Sequence, residues 1–529
     1  MLNIYQLEQR IHQHVAEQSI VGLAVALVQG TEVTYARGFG VTSVEDGGIA
    51  VTPHTLFCIG SISKTLTATL VMRLVEQGKL DLDVPVVTYM PGFQFSDQEL
   101  GQRITLRHVL SHTTGLPSGG KDFGPRDPDA LRRFVWDELG RYGFIAEPGR
   151  VHLYNNTVIV LAGYLAEVVT GKRYDQLVQE YIFDPLRMSR STFDRTVAMT
   201  YPLALAHERG PDGSLRAKHR FTDNVSGNPA GFGISSTLDL ANFAIMHLHQ
   251  GQFEDQRLLS CGSIDQMQTP YRDRYTPGAE SGYSLGLYTG TYKGVRHVLH
   301  GGMLESYNCF WTLFPDRRLG VIVQSNYADD ATLVDLVEHI YDDLLDLPHG
   351  TVRPATVPAD QTHWSRHVGT YLSVHAGLAS VSVVSDRLVL ERDGEATPLT
   401  AIEGGLYQAD RSPVGFVPSD SDLTEYLVIE SMPYRRFTPN STFVPDPRSW
   451  AAYAGVYAEW EIDPYPLHVR VADDQLYLQW WGDEVACTPL SNTRFVSMYG
   501  VIDFVTAADG LPVLITAQAS HQRRIHPAF

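Results

Sequence analysis

Ser61 and Lys64 are the first residues whose types and spacing suggest chemistry, in the segment Gly60-Ser61-Ile62-Ser63-Lys64. A serine hydroxyl is a weak nucleophile until a base takes its proton, and a lysine of lowered pKa can be that base. Residues three apart share a helix face, and the positive helix start disfavours a protonated lysine. The pattern predicts Ser61 as nucleophile and Lys64 as its base.

The spacing alone is a weak signal because Ser118 and Lys121 repeat it. That second pair lies in a glycine-rich loop after Pro117, where no helix would align the two side chains. A serine at a helix start is also a common capping residue, which leaves a structural role open for Ser61. The catalytic hypothesis therefore depends on partner residues elsewhere in the chain.

Tyr154 and Asn156 form the second candidate element, in Tyr154-Asn155-Asn156 before an apolar helical run. A tyrosine can relay a proton between nucleophile and leaving group, and an asparagine can orient a substrate amide. The alternative is a buried tyrosine with a hydrogen-bonded hydroxyl group.

His300, Gly301 and Gly302 form the third element, between strand-like runs at 295–299 and 309–314. Glycines on such a strand allow a substrate backbone to approach closely. A histidine beside them can position a hydrogen bond or shuttle a proton. A plain β-bulge is the alternative interpretation.

The elements that must position these residues follow from periodicity. Residues 20–28 and 32–38 read as a hairpin around a glycine turn. After Ser61, leucines recur every four residues up to Gly78, which is typical of a helix with a glycine stop. A mostly helical stretch at 100–250 and strands at 283–325 predict one α+β domain, residues 1–345.

A proline-rich linker at 346–361 precedes two segments that resemble each other, 362–442 and 443–529. Trp364 and Tyr371 of the first recur as Trp450 and Tyr457 of the second, both at an offset of 86 residues. The pattern predicts a duplicated all-β module, most simply two antiparallel β-barrels.

Chain length, net charge and cysteine spacing limit the classes of function that this protein can have. A chain of 529 residues divides into two or three domains. The net charge of −19 disfavours nucleic acid and anionic membranes as partners. The four cysteines have neither disulfide-scaffold nor metal-site spacing. The first residues, 1–18, do not have the pattern of a secretory signal, and the apolar run at 157–169 is too short to span a bilayer. We therefore expect a cytoplasmic protein, unless a leader was removed.

The three elements, in this order, resemble the serine β-lactamase and penicillin-binding-protein superfamily, with its Ser-x-x-Lys, Tyr-x-Asn and Lys/His-x-Gly motifs. The likeness covers roughly residues 5–345. Further segments that look like this family are Ser111-His112-Thr113-Thr114-Gly115-Leu116-Pro117, Glu147-Pro148-Gly149, Phe183-Asp184-Pro185-Leu186-Arg187-Met188 and Pro229-Ala230-Gly231-Phe232-Gly233-Ile234-Ser235-Ser236.

The resemblance implies an α/β sandwich of the β-lactamase and transpeptidase type. It also implies a mechanism in which an acyl-enzyme forms on Ser61 while Lys64 and Tyr154 move protons. The oxyanion would be held by the backbone N–H groups of Ser61 and Met303, beside the substrate strand at Gly301 and Gly302. Neither a metal nor an organic cofactor is implied.

His300 stands where β-lactamases and D,D-transpeptidases usually carry a lysine that meets the substrate carboxylate. A neutral histidine holds a carboxylate less firmly than an ammonium group does. Histidine variants occur in the D-aminopeptidase, D-amino-acid amidase and β-lactamase-like esterase branches. The D-aminopeptidases of this family look similar in domain organisation, with two barrels, one of which extends a loop toward the active site. In this chain the candidate loops are residues 459–466 and 480–484.

The leading hypothesis is a D-aminopeptidase-like or amidase-like hydrolase of small amides or peptides. A carboxylesterase or acyltransferase on the same fold is the alternative, because an ester offers Ser61 the same carbonyl. A catalytically silent binding or sensor protein is the alternative of another class. A homo-oligomer is possible, and the sequence leaves the acyl group, the stereochemical preference and the role of the two modules open.

Overall fold

The computed structural model describes residues 4–45, 47–118, 126–219, 221–277, 281–327, 330–350, 353–419, 422–458, 466–480, 484–506, 512–517 and 520–527. Lys121, the lysine of the second Ser-x-x-Lys match, lies outside these residues. In the part of the chain that the structure describes, no helix has the length and apolarity needed to cross a membrane.

The N-terminal part of the chain contains fourteen strands among the described residues. They are β1 Gly22–Gln29, β2 Glu32–Gly40, β3 Leu56–Cys58, β4 His207–Arg209, β5 Leu215–Ala217, β6 Ile234–Ser236, β7 Gln252–Phe253, β8 Gln256–Arg257, β9 Arg272–Asp273, β10 Gly282–Tyr283, β11 Tyr288–Tyr292, β12 Val295–Leu304, β13 Tyr307–Phe314 and β14 Leu319–Ser325. Eight of them form one antiparallel sheet in the order β2-β1-β14-β13-β12-β11-β10-β9.

Helices cover both faces of this sheet. They are α1 Ile4–Glu17, α2 Ile62–Glu76, α3 Gln98–Gly101, α4 Leu106–Leu110, α5 Ala130–Arg133, α6 Ile159–Thr170, α7 Tyr174–Val178, α8 Arg195–Ala198, α9 Asn228–Gly231, α10 Thr237–Leu248, α11 Cys261–Gln268 and α12 Asp330–Leu345. A short helix, α13 Trp364–His367, precedes the β modules.

Strand β1 shows how the layers are built. Successive side chains of a strand point to opposite faces. Val25 and Leu27 pack with α1 and α12, whereas Ala26 and Val28 pack in the core that contains α2, α6 and α10. The strand is buried on both faces, which explains its nearly continuous apolar sequence. The predicted hairpin and α/β sandwich are confirmed.

The first C-terminal module is a closed antiparallel barrel. Its strands are β15 Gly369–Ser373, β16 Gly377–Val384, β17 Arg387–Arg392, β18 Glu395–Ile402, β19 Leu406–Ala409, β20 Ser412–Pro418, β21 Thr424–Ile429 and β22 Met432–Phe437. The barrel closes where Thr370 of β15 pairs with Phe437 of β22. Closure leaves no edge strand open to other chains.

The second module is a nine-stranded antiparallel sheet, in the order β26-β25-β24-β23-β31-β30-β29-β28-β27. Its strands are β23 Gly455–Ala458, β24 Leu467–Ala472, β25 Gln475–Gln479, β26 Glu484–Ala486, β27 Thr488–Pro489, β28 Arg494–Ser497, β29 Gly500–Thr506, β30 Pro512–Ala517 and β31 Ser520–Pro527. The two end strands are separated only by Cys487, so the sheet turns back on itself. Because β26 pairs with β25 and β27 pairs with β28, this one interrupted strand closes the sheet, as expected for a second barrel.

The two modules share the features that predicted a duplication. Trp364 and Trp450 are both buried. Tyr371 and Tyr457 are fully buried, and each donates its hydroxyl to the carbonyl oxygen four residues earlier, at 2.6 and 2.8 Å. The hydrogen bond satisfies a hydroxyl that would be costly to bury alone, so the same tyrosine anchors the first strand of each module.

Candidate active site

Ser61 lies between strand β3 and the first turn of helix α2. Its side chain makes no capping hydrogen bond with the helix. Instead, Lys64 Nζ lies 2.9 Å from Ser61 Oγ, a distance at which one group can take the proton of the other. The capping alternative is therefore not what the structure shows.

Lys64 is fully buried, and its Nζ donates to the carbonyl oxygen of Ala230 at 2.6 Å. The same Nζ lies 4.9 Å from the ring centroid of Tyr154. Burial lowers the pKa of Lys64 well below its ordinary value, because a charged ammonium loses its hydration there. Burial thus favours the uncharged amine, which is the form of Lys64 that could act as a general base on the Ser61 hydroxyl.

Tyr154 is brought to this pair by a loop that Asn155 anchors. The Asn155 Oδ1 accepts from the backbone N–H groups of Thr157 and Val158 at 2.8 and 2.9 Å, and its Nδ2 donates to the Leu116 carbonyl at 2.8 Å. Asn156 is exposed, and its backbone N–H donates to Ser118 Oγ at 3.3 Å. Within this motif, Asn155 therefore holds the loop in place, whereas Asn156 faces outward.

The loop before Ser61 lies directly on strand β12. A Cβ added to Gly302 would sit 1.9 Å from Ile59 O and 3.2 Å from Ser61 N, and one added to Gly60 would sit 2.5 Å from Met303 N. Only glycine permits so close an approach of two backbones. The N–H groups of Ser61 and Met303 consequently belong to adjoining backbone segments, where an oxyanion hole is predicted.

Gly301 and Met303 face the open side of this strand. A Cβ on Gly301 would meet nothing within 4 Å, and the Met303 side chain is 59% exposed. The β12 to β13 ladder runs without a register shift from Val298 to Leu304. The bulge alternative is therefore not observed, and an extended substrate backbone has room beside Gly301.

His300 is fully buried, with Nδ1 2.6 Å from Gly301 O and Nε2 3.1 Å from Tyr283 Oη. A carbonyl oxygen only accepts, so Nδ1 carries the proton and Nε2 accepts from the Tyr283 hydroxyl. Burial lowers the pKa of His300 to about 3. The imidazole is neutral, and both of its nitrogens are engaged within the fold.

Comparison with known proteins agrees with this geometry. The family model "Beta-lactamase" matches residues 7–341. The chain belongs to the β-lactamase family. Penicillin-binding protein 4 of Amycolatopsis lactamdurans is 34% identical over 42% of this chain and 58% of its own length. Unguisins hydrolase ungD' of Aspergillus campestris is 30% identical over 62% of this chain and 63% of its own, so each match spans less than two thirds of the relative.

Two solved structures share the fold of this β-lactamase-family chain. The octameric penicillin-binding protein homologue from Pyrococcus abyssi aligns with a TM-score of 0.56 and 21% identity, over 91% of this chain and 99% of that one. The crystal structure of SurE with D-Leu aligns with a TM-score of 0.62 and 24% identity, over 82% and 99%.

Four aromatic residues behind the nucleophile of this family member were not predicted as site residues: His112, His152, Tyr283 and Tyr288. Tyr154 stacks on Tyr288 at 6.2 Å between ring centroids, and His112 lies 4.6 Å from Tyr154. Burial lowers the pKa of His112 and of His152 well below ordinary values, so both imidazoles are neutral. Only His112 had a sequence signal, in the Ser-His-Thr-Thr-Gly-Leu-Pro segment.

Arg274 is a further residue that the sequence analysis missed. Its guanidinium carbon lies 4.5 Å from the ring centroid of Tyr288. The charge contributes to lowering the pKa of His300, which places a permanent cation near the ring cluster. No motif surrounds Arg274 in the sequence, so only the fold reveals it.

The first barrel contacts both the Tyr154 loop and the Arg274 segment. Arg150, four residues before Tyr154, pairs with Glu425 of β21 and donates to Pro418 O at 3.4 Å. Ala146 and Val151 pack against barrel residues in the cluster Val417, Tyr426 and Val428. Tyr275 lies so close to β20 that a Cβ on Gly415 would be 2.5 Å from its side chain.

The loop candidates of the second module cannot be placed against the site. Residues 459–465 and 481–483 lie outside the described residues. Pro466, Trp480 and Glu484 at their borders are described, and Glu484 pairs with Arg470 of the same module. The contribution of these loops to the site stays a prediction.

Proposed function

We propose that this chain is a serine acyl hydrolase acting through an acyl-enzyme on Ser61, most like the D-aminopeptidases and D-amino-acid amidases. The observation that carries the proposal is the buried Lys64 amine at 2.9 Å from Ser61 Oγ, with its pKa lowered by burial. A nucleophile with a base inside hydrogen-bond distance is the minimum that acyl transfer requires.

The proposed reaction follows from the positions of these groups. Lys64 Nζ takes the Ser61 Oγ proton while Oγ bonds to the substrate carbonyl carbon. The N–H groups of Ser61 and Met303 hold the oxyanion, and the C–N bond breaks as a proton passes to the departing amine by way of Lys64 and Tyr154. Water then attacks the acyl-enzyme by the reverse route and frees Ser61.

His300 has a positioning role in this proposal. Its Nδ1–H is held by Gly301 O and its Nε2 by Tyr283, so it fixes the start of the substrate strand. It offers the substrate neither a charge nor an N–H. Arg274 is the nearby permanent cation, which favours peptides with a carboxylate over simple esters.

The choice of amide and peptide substrates also has support from the relatives. One relative is an unguisins hydrolase, and a structure of similar fold contains D-Leu. The test is a comparison of D- and L-aminoacyl p-nitroanilides with short p-nitrophenyl esters. Turnover of esters alone would reject the aminopeptidase proposal and favour the esterase.

The acyl-enzyme is tested by intact mass after incubation with a reactive acyl donor. We expect one added acyl group on the wild type and none on Ser61→Ala. Ser118→Ala is the matched control, because Ser118 shares the Ser-x-x-Lys spacing and should keep the adduct. An unmodified wild type would instead indicate a silent binding protein, and interception of the adduct by an added amine would indicate an acyltransferase.

Domain boundaries, assembly and location complete the proposal. We place the catalytic domain at 1–345, the linker at 346–361 and the two modules at 362–442 and 443–529, which limited proteolysis would test. A homo-oligomer has support from the octameric homologue that shares this fold over 91% of the chain, and light scattering would test it. Cytoplasmic location is tested by cell fractionation.

A further inference from the structure

A cluster of two histidines and one carboxylate lies where helix α1 meets helix α12. Asp335 and His339 are four residues apart on α12, so they share one face of that helix. His14 approaches from α1, and its ring centroid is 5.8 Å from that of His339. One potential ligand atom from each of the three residues lies within 4.8 Å of the others.

Both imidazoles are oriented by the backbone. His14 Nδ1 lies 3.2 Å from Arg10 O, and His339 Nδ1 lies 2.7 Å from Asp335 O. A carbonyl oxygen only accepts, so each Nδ1 donates its proton and each Nε2 keeps a lone pair. The His339 Nδ1 also lies 3.6 Å from Asp335 Oδ2. Metal-bound histidines typically donate their other ring N–H to a backbone carbonyl or carboxylate in this way.

The contact between His14 and Asp335 has the spacing of two metal ligands. His14 Nε2 lies 3.3 Å from Asp335 Oδ2, and both atoms are acceptors when Nδ1 carries the proton. Such a pair needs a proton or a metal cation between the two atoms. In a tetrahedral zinc site with bonds of about 2.0–2.1 Å, neighbouring ligand atoms are about 3.3–3.4 Å apart.

We propose that His14, Asp335 and His339 bind a divalent transition-metal ion, Zn²⁺ by ligand type, with water as the fourth ligand. Two imidazoles and a carboxylate favour Zn²⁺ over Ca²⁺ and Mg²⁺, which prefer oxygen ligands. The side chains are partly exposed, at 18, 60 and 29% respectively, so an ion and its water can enter.

The site is structural and independent of the acyl-hydrolase proposal. Helices α1 and α12 pack on the opposite face of the sheet from α2, which carries Lys64. The ion joins the N-terminal helix to the helix that leads into the linker. His349 stacks on His339 at 5.3 Å and pairs with Asp343 at 3.1 Å, so the start of the linker adjoins the site.

The test uses the full, untagged chain after chelator treatment. It uses a Cys261→Ser background, because Cys261 is an exposed free thiol and thiolates are zinc ligands in general. Titration calorimetry with Zn²⁺ alone should show one saturable site. His14→Gln and His339→Gln should each weaken binding at least tenfold. His54→Gln is the matched control, since His54 is an exposed histidine outside the cluster.

Two further measurements distinguish a lost metal site from a misfolded variant. Asp335→Asn keeps the side-chain shape, and it too should weaken Zn²⁺ binding at least tenfold. Zn²⁺ at a fixed concentration should raise the Tm of the parent chain more than the Tm of any of the three variants. Absence of a saturable site, or equal affinity in the parent and all three variants, would show that the cluster is only an ion pair and would overturn the proposal.

Discussion

Replacement of Lys64 by methionine should slow acylation by about two to four orders of magnitude while the fold survives. The Nζ is the proposed base, at 2.9 Å from Ser61 Oγ, and general-base catalysis contributes about 10²–10⁴-fold to rate. At about 1.36 kcal/mol for each factor of ten, the loss corresponds to about 2.7–5.5 kcal/mol of transition-state stabilisation. Methionine fills the buried channel with a side chain of similar length and no proton acceptor of comparable strength.

The same change has opposing effects on stability. It leaves Ala230 O without the donor that lies at 2.6 Å, which costs about 1–3 kcal/mol. It also removes a lysine that is protonated in the unfolded chain and uncharged in the fold. Because the unfolded state binds the extra proton below pH 10.5, wild-type stability rises with pH toward that value. The Lys64→Met variant should lack this part of the slope.

The assay combines kcat/KM on an activated ester, intact mass for the acyl-enzyme, and urea unfolding at pH 7 and pH 9. Lys79→Met is the matched control, because Lys79 is exposed three residues beyond the end of α2. A Lys64→Met protein with more than a tenth of wild-type kcat/KM would refute the base assignment. An unchanged pH slope of stability would refute an uncharged Lys64 in the folded state.

Three other predictions test the strand, the barrel contact and the buried histidine. Gly302→Ala should destabilise the fold and reduce kcat/KM at least tenfold, because its Cβ would lie 1.9 Å from Ile59 O. Urea unfolding and steady-state kinetics measure the two effects. Wild-type stability and kcat/KM in this variant would contradict the close approach of the two backbones. Glu425→Gln should lower kcat several-fold with little change in Tm, because it frees Arg150 and the loop that carries Tyr154. An unchanged kcat would exclude positioning of this loop by the barrel. The free energy of unfolding should fall as pH drops from 6.5 toward 3, because the unfolded chain protonates His300 and the folded chain does not. Between pH 7.5 and pH 5, the free energy of unfolding should change less for His300→Gln than for the wild type. An equal change in both would mean that His300 is charged in the fold.

The family and the layered fold were accessible from sequence because their signals are local. The alternation of side chains in β1 and β2 and the leucine spacing after Ser61 are set by the geometry of strands and helices. The order of the Ser-x-x-Lys, Tyr-x-Asn and His-x-Gly motifs identified the family that the match to residues 7–341 then confirmed. The domain boundaries and the catalytic roles stay predictions.

The repeat of the two modules and their barrel form were also predictable from the sequence, but the strand pairs that close them were not. Trp364 and Trp450 occupy equivalent positions before the first strand of each module, which indicates the repeat. Closure depends on whether the first and last strands meet in register, as Thr370 and Phe437 do in the first barrel. That outcome depends on twist and on strand lengths summed over the whole sheet, which no local pattern contains.

By itself, the sequence determined which residues can do chemistry at Ser61 and Lys64, because a spacing of three residues on a helix is a property of the backbone alone. Only the tertiary structure decided that Lys64 is buried, with its pKa lowered by burial, and that His300 is turned inward. It also brought His14 to Asp335 across 321 residues. Burial and long-range contacts arise when distant elements pack, and packing is what sets a pKa or assembles a ligand set.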